Sequence, residues 1–79
     1  MACPQAGAQG IYGFVEWCEP CPPVGYVGVV RPWGRLYGTE CESCEFQFTS
    51  TTPFRADDQV KFDIVQGTFA PFAQNVVTD

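Results

Sequence analysis

Alternating apolar and polar residues recur in short stretches along the chain, and glycine and proline separate these stretches. The clearest alternation covers residues 59–66, where Val60, Phe62 and Ile64 share one face and polar residues share the other. Successive side chains of a β-strand point to opposite sides, so a period of two predicts a strand with one buried face. We therefore expect a strand over residues 59–66.

Four further strands are predicted from β-branched and aromatic residues bounded by turn signals, over residues 10–17, 24–30, 35–40 and 72–77. Residues 45–54 begin with alternation but reach Pro53, so they form either a short strand or a crossing loop. In the first strand, one face would carry Ile11, Gly13, Val15 and Trp17. Five strands without a convincing helix predict an all-β fold, a small closed barrel.

The organisation of the chain follows from its length and its termini. Residues 1–9 carry small and polar side chains without a period, so we expect a flexible N-terminus followed by a single domain over residues 10–79. The core of a domain of 79 residues is marginal by itself, and a bound metal would stabilise it.

The cysteines form two Cys-x-x-Cys pairs separated by nineteen residues, namely Cys18, Cys21, Cys41 and Cys44. This spacing is typical of a four-thiolate zinc site, because each pair reaches one tetrahedral ion from a single knuckle turn. A hairpin over residues 24–40 would return the second pair to the level of the first. The sequence therefore predicts a structural Zn²⁺ held by two zinc knuckles, with Cys3 left as a free thiol.

Disulfide bonds are the alternative use of these cysteines, since five in 79 residues is a high proportion. The chain begins without a basic segment or an apolar run, which predicts no secretory signal and a reducing, cytoplasmic location. If the protein were secreted, disulfides would be favoured instead. Redox catalysis is disfavoured, because no helix is predicted after either pair to lower a thiol pKa.

The charge balance argues against strong binding to phosphates. Nine acidic and four basic residues give a net charge of −5, and the four bases, Arg31, Arg35, Arg55 and Lys61, are not clustered. Counterion release requires several Lys or Arg in one place, whereas stacking of bases on aromatic rings depends less on net charge. The net charge therefore disfavours binding through phosphates but is compatible with binding through base stacking.

Catalysis and membrane insertion are both disfavoured by the composition. The chain contains no His, no Ser-centred elbow and no phosphate-binding glycine loop, and a four-Cys zinc site leaves no open position for water. We therefore predict that the protein is not an enzyme. No apolar run is long enough to predict a transmembrane span.

Three segments resemble the cold-shock domain family. Gly-Phe-Val-Glu-Trp-Cys at residues 13–18 is similar to the family's first strand, and Gly-Tyr-Val-Gly-Val-Val-Arg-Pro at residues 25–32 is similar to its second motif with one extra residue. Residues 58–67 and 70–76 match the family's tail best. The resemblance implies a five-stranded barrel of the oligonucleotide/oligosaccharide-binding (OB) type that binds single-stranded RNA or DNA.

The position of the family's third strand has two solutions. One equates residues 45–48 with the family's motif, puts Gln47 in its His position, and separates the two knuckles by roughly 20 Å along the second strand. The other uses residues 35–40 and brings the knuckles together. We expect the second solution because it allows the zinc site.

The resemblance implies a stacking platform of Trp17, Tyr26 and Tyr37, with Arg31, Trp33 and Arg35 nearby at the hairpin tip. Each also has a structural explanation. Trp17 would cover the zinc-bound sulfurs, and the two tyrosines would form a cross-strand pair. Trp33 at an exposed tip suits a contact with either a base or a protein.

Two functions follow from these observations. The first is a non-catalytic module that binds single-stranded nucleic acid by stacking on strand and hairpin aromatics, stabilised by structural zinc. The alternative is a zinc-stabilised β-barrel that mediates a protein–protein interaction, which the acidic surface favours. The sequence leaves the oligomeric state open, because an OB-type barrel leaves strand edges only partly closed.

Overall fold

The computed structural model of the protein describes residues 5–32 and 44–78. Those residues form five β-strands and, within those two ranges, no helix: β1 (Ile11–Cys21), β2 (Gly25–Pro32), β3 (Phe46–Ser50), β4 (Gln59–Val65) and β5 (Phe72–Thr78). Each pair of neighbouring strands is antiparallel. The prediction of an all-β fold is confirmed, and β4 and β5 match their predicted ranges to within a residue.

The five strands form one sheet in the order β3-β2-β1-β4-β5. Its two outermost strands, β3 and β5, lie against each other, so the sheet curls into a nearly closed barrel. This architecture is consistent with a small OB-like barrel and confirms the predicted fold class. The fold by itself does not test the two predicted zinc knuckles, which stay a prediction.

The barrel interior is filled by the inward-facing residues of all five strands. The largest side chains that are fully buried are Phe48, Phe62, Ile64, Val15, Val30 and Val60. Phe48 also meets Phe54 edge to face, with ring centroids 5.8 Å apart. Removing this apolar area from water is the main source of stability for so small a barrel.

The N-terminal segment is attached to β4. The Gly7 amide donates to the Ile64 carbonyl at 2.8 Å, and the Ile64 amide donates to the Ala8 carbonyl at 2.8 Å. We predicted a flexible segment over residues 1–9, and within it residues 7 and 8 are held by these bonds. Cys3, predicted to be a free thiol, lies outside the described residues.

β1 extends beyond its predicted end at residue 17, because Pro20 does not interrupt the ladder with β2. Pro20 pairs with Tyr26, and the ladder ends where Cys21 pairs with Gly25. The ladder between β1 and β4 covers residues 11–14. Within the described ranges, residues 17–21 therefore pair with β2 alone, and a strand edge without a second partner tolerates proline because no amide is needed there.

The predicted position of the third strand was wrong. β2 pairs with β1 along one edge, and along the other edge its residues Tyr26–Val30 pair with Ser50–Phe46 of β3. A strand has only two hydrogen-bonding edges, so residues 35–40 cannot pair with this part of β2 as we expected. Those residues lie outside the described ranges.

A bulge in β1 changes which side chains face outward. Val15 pairs with Val30 and Trp17 pairs with Val29, so Glu16 is an extra residue between two consecutive pairs. One extra residue reverses the alternation beyond it. Trp17 was predicted to share the face of Val15, and that prediction was wrong: Val15 is buried and Trp17 is exposed.

A second irregularity lies in β5, at Asn75. Asp63 pairs with Gln74 and Lys61 with Val77, which leaves an extra residue in β5, and Asn75 adopts a positive φ of 55°. Asn tolerates this conformation better than most residues. The Asn75 side chain donates to Asp63 Oδ2 at 3.1 Å, and the Gly10 amide donates to Oδ1 at 2.9 Å. Asp63 thus joins β4 to β5 and to the start of β1.

These bonds, first the one from the Gly10 amide and then the one from Asn75, hold the pKa of Asp63 below its ordinary value. A carboxylate with a lowered folded pKa stabilises the fold above its unfolded pKa of about 3.9, and this contribution is lost as the pH falls through the folded pKa. We expect Asp63→Asn to lower the free energy of unfolding at pH 7 and to flatten its decline below about pH 4.

The measurement is urea denaturation of both proteins across this pH range. Asp57→Asn, at an exposed acid with φ of 72° in the turn before β4, is the control, because Asn accepts the same backbone conformation. If Asp63→Asn follows the same pH curve as the unsubstituted protein, the bridging role of Asp63 is refuted.

Candidate nucleic-acid interface

The outward side chains of β1, β2 and β3 form rows across the sheet. Residues paired across antiparallel strands share a face, so Trp17, Val29 and Gln47 form one row. The next row consists of Glu19, Val27 and Thr49. We call these six residues the outer face; Val29 is buried within it, whereas Trp17, Gln47, Glu19 and Thr49 are exposed.

Trp17 is the large aromatic side chain of the outer face. It is 42% exposed, so part of the indole is open to solvent. Its position follows from the bulge at Glu16, and the rigid sheet beneath it limits its freedom to move. An exposed and positioned indole is suited to stacking against a planar group or to packing against a protein partner.

Tyr26 does not join Trp17. It follows the opposite alternation from Val27, pairing with Pro20 on one side and Ser50 on the other. The predicted platform is therefore divided: the structure separates two of its members, and Trp33, Arg35 and Tyr37 lie outside the described residues. Gln47 does lie on the outer face, in the row of Trp17.

Arg31 is held by two carboxylates. Its Nε donates to Glu16 Oε2, and its Nη2 donates to Glu45 Oε1 at 2.8 Å. The hydrogen bond with Glu45, followed by that with Glu16, raises the pKa of Arg31 above its ordinary value. A guanidinium paired with two anions attracts a phosphate less than a free one. The predicted contribution of Arg31 to phosphate binding is correspondingly reduced.

An open groove lies between β3 and the loop that joins β4 to β5. Its volume is about 420 Å³, and its lining includes Val27, Glu45, Gln47, Thr49, Phe69 and Phe72. Phe69 is 99% exposed and Phe72 is 39% exposed. The groove is thus continuous with the outer face, has apolar and aromatic walls, and carries the carboxylate of Glu45.

Phe69 and Phe72 are the residues of this region that the sequence prediction missed. They lie in the stretch Gly67-Thr-Phe-Ala-Pro-Phe72, which we read only as a turn and the start of a strand. Phe69 could have been identified from the sequence as an aromatic residue within a predicted turn. A loop usually runs over the surface and exposes its side chains, so an aromatic residue there is a candidate contact residue.

The cysteines of the described ranges do not come together. Cys18 is half-buried and packs against the core, Cys21 is exposed, and both are free thiols. Cys44 is buried and disulfide-bonded. Among residues 5–32 and 44–78, no group of three or more Cys, Asp or Glu residues is close enough to hold a metal ion. Cys41 lies outside these ranges.

The register of β2 explains this separation. Cys21 pairs with Gly25, whereas Cys44 precedes Phe46, which pairs with Val30. Gly25 and Val30 are five residues apart, or about 17 Å at about 3.3 Å per residue. Cys21 and Cys44 thus lie towards opposite ends of β2, and a sulfur in a disulfide is not a thiolate ligand. The described cysteines do not fit one four-thiolate site, and zinc binding itself stays a prediction.

No family model matches the chain, no curated protein matches it, and no solved structure matches it. The resemblance to the cold-shock domain therefore stays a prediction that rests on the motifs quoted above. In the part of the chain that the structure describes, no helix is long and apolar enough to span a lipid bilayer.

The separation of the cysteines gives a test of the zinc site. We expect Cys21→Ser to leave the melting temperature of the reduced protein unchanged, both without zinc and with one equivalent added, because Cys21 is exposed and distant from Cys44. Thermal denaturation followed by circular dichroism measures both conditions. If zinc raises the melting temperature of the unsubstituted protein and Cys21→Ser abolishes the rise, the four-cysteine site is supported.

Proposed function

We propose that the protein is a non-catalytic module that binds single-stranded nucleic acid by stacking bases on its outer face. The observation that carries the proposal is the exposed Trp17 in one row with Val29 and Gln47, next to the groove beside Phe69 and Phe72. OB folds bind oligonucleotides on the face of strands 2 and 3 and at the loop between strands 4 and 5. Three exposed aromatics of this barrel, Trp17, Phe69 and Phe72, lie beside the same elements.

The described residues carry three cations, Arg31, Arg55 and Lys61, and so few cations favour affinity from stacking more than from phosphate contacts. Arg31 is paired with two carboxylates, and the Lys61 ammonium lies 5.7 Å from the centre of the Tyr12 ring. If the protein neutralises about one phosphate of a single strand, we expect the logarithm of the affinity to fall with the logarithm of the salt concentration with a slope of about −0.7. A weak dependence on salt is therefore a signature of this mode of binding.

A protein partner is the second candidate function, and the pairing of Arg31 with Glu16 and Glu45 favours it. A face whose described cation, Arg31, is already paired, in a chain of net charge −5, repels a polyphosphate chain but not a neutral or basic protein. Exposed aromatic residues such as Trp17 and Phe69 are typical anchors of protein interfaces. Both functions would use the same outer face.

The substitution Trp17→Ala tests the proposal. Stacking of a base on an aromatic side chain contributes about 1–3 kcal/mol, so we expect the affinity for a short single-stranded oligonucleotide at low salt to fall about tenfold. Fluorescence anisotropy of a labelled oligonucleotide gives both affinities. The salt slope of the unsubstituted protein is measured in the same experiment.

Val77→Ala is the matched control, because Val77 is an exposed apolar residue of β5, away from the outer face. We expect it to leave the affinity unchanged. If neither RNA nor DNA binds the unsubstituted protein at high micromolar concentration, the proposal is refuted and the protein partner becomes the function to pursue. Equal affinities for Trp17→Ala and the unsubstituted protein would move the binding site away from the outer face.

A further inference from the structure

The groove beside β3 combines aromatic walls with the carboxylate of Glu45 as an anionic acceptor. Phe69 is almost fully exposed, Phe72 is partly exposed, and Val27 adds apolar surface from β2. Among the described residues that line the groove, Glu45 is the one with a charged side chain. Its hydrogen bond to Arg31 engages Oε1, and a carboxylate offers about four acceptor positions. Glu45 therefore retains the capacity to accept further hydrogen bonds.

A carboxylate distinguishes the four bases by their hydrogen-bond donors. Guanine presents an N1–H and an N2 amino group side by side, which together match the two oxygens or the two lone-pair directions of a carboxylate. Cytosine and adenine each present one amino group. Thymine and uracil present carbonyl oxygens on either side of one N–H, and these oxygens are repelled by the carboxylate. Charge complementarity in this groove thus favours the base with the most adjacent donors.

We propose that the groove selects a guanine base of the bound single strand, with Glu45 accepting from its N1–H and N2 amino group while Phe69 or Phe72 stacks on the ring. This inference rests on the proposed function and adds base specificity to it. Gln47 and Thr49 border the same groove and supply polar contacts for the rest of the nucleotide. Glu45 is thereby a specificity-determining residue and Arg31 a positioning residue, which holds the Glu45 side chain.

The experiment compares three eight-nucleotide DNA strands that differ at one central position: all thymidine, thymidine with one guanosine, and thymidine with one inosine. Inosine lacks only the N2 amino group of guanosine. We expect the guanosine strand to bind the unsubstituted protein at least about fivefold more tightly than the thymidine strand. The inosine strand should lose most of this preference. Competition anisotropy measures all three affinities.

Glu45→Gln and Glu16→Gln form a matched pair of variants. Each removes one of the two carboxylates that hold Arg31, but only Glu45 lines the groove. Both therefore change the affinity for all strands through Arg31 to a similar extent. We expect the ratio of guanosine to thymidine affinities to fall to about one in Glu45→Gln and to stay unchanged in Glu16→Gln.

Failure of this inference is distinguishable from failure of the proposed function. If none of the three strands binds, both fail. If all three bind the unsubstituted protein equally, or if Glu16→Gln abolishes the guanosine preference as fully as Glu45→Gln does, the outer face still binds single strands but Glu45 does not select guanine. Retention of the preference by Glu45→Gln would likewise overturn the inference.

Discussion

The register of β1 against β2, with the extra residue at Glu16, decides which side chains reach the surface of this barrel. Before the bulge, Val15 faces inward opposite Val30; after it, Trp17 faces outward opposite Val29. The same change turns Cys18 towards the core, where it packs beside the buried cluster. The exposed indole of Trp17 and the inward position of Cys18 thus share one cause, a single extra residue in a strand.

The second edge of β2 determines the rest of the outer face. Pairing of β2 with β3 places Gln47 beside Val29 and brings Glu45 close enough to bind Arg31. The result is an apolar and aromatic surface beside Arg31, a cation that is already paired with two carboxylates. Such a surface gains little from phosphates and much from planar or apolar groups, which is why stacking carries the proposed function.

The strands were largely predictable from the sequence, because a period of two in a half-buried strand is a local signal. The tail illustrates this: Val60, Phe62 and Ile64 alternate, and all three are buried. The bulge at Glu16 was not predictable in this way, since the chain around it alternates as an ordinary strand does. Val15, before the bulge, therefore shares a face with Ile11 as predicted, whereas Trp17, after it, was assigned to the wrong face.

The candidate site was predicted less well, because its arrangement depends on which strand pairs with the second edge of β2. One edge of β2 pairs with β1, and the sequence does not show which distant segment pairs with the other edge. Because we assumed a zinc site, we expected residues 35–40 there, but Phe46–Ser50 occupies that edge. The family resemblance named Trp17 as a stacking candidate, whereas Gln47 belonged to the third-strand register that we did not expect, although both lie in one row of the sheet. Phe69 was missed because exposure in a loop leaves no periodic signal.

The central claim is that the outer face and the adjoining groove bind single-stranded nucleic acid, and residue-resolved NMR titration with a short oligonucleotide tests it most directly. The account predicts saturating shifts of the Trp17 indole N–H, of the Val27, Gln47 and Thr49 amides, and of residues 67–72. Shifts confined to Tyr12, Lys61 and Val77, which form a separate row across β1, β4 and β5, would contradict it, as would a spectrum unchanged by excess oligonucleotide.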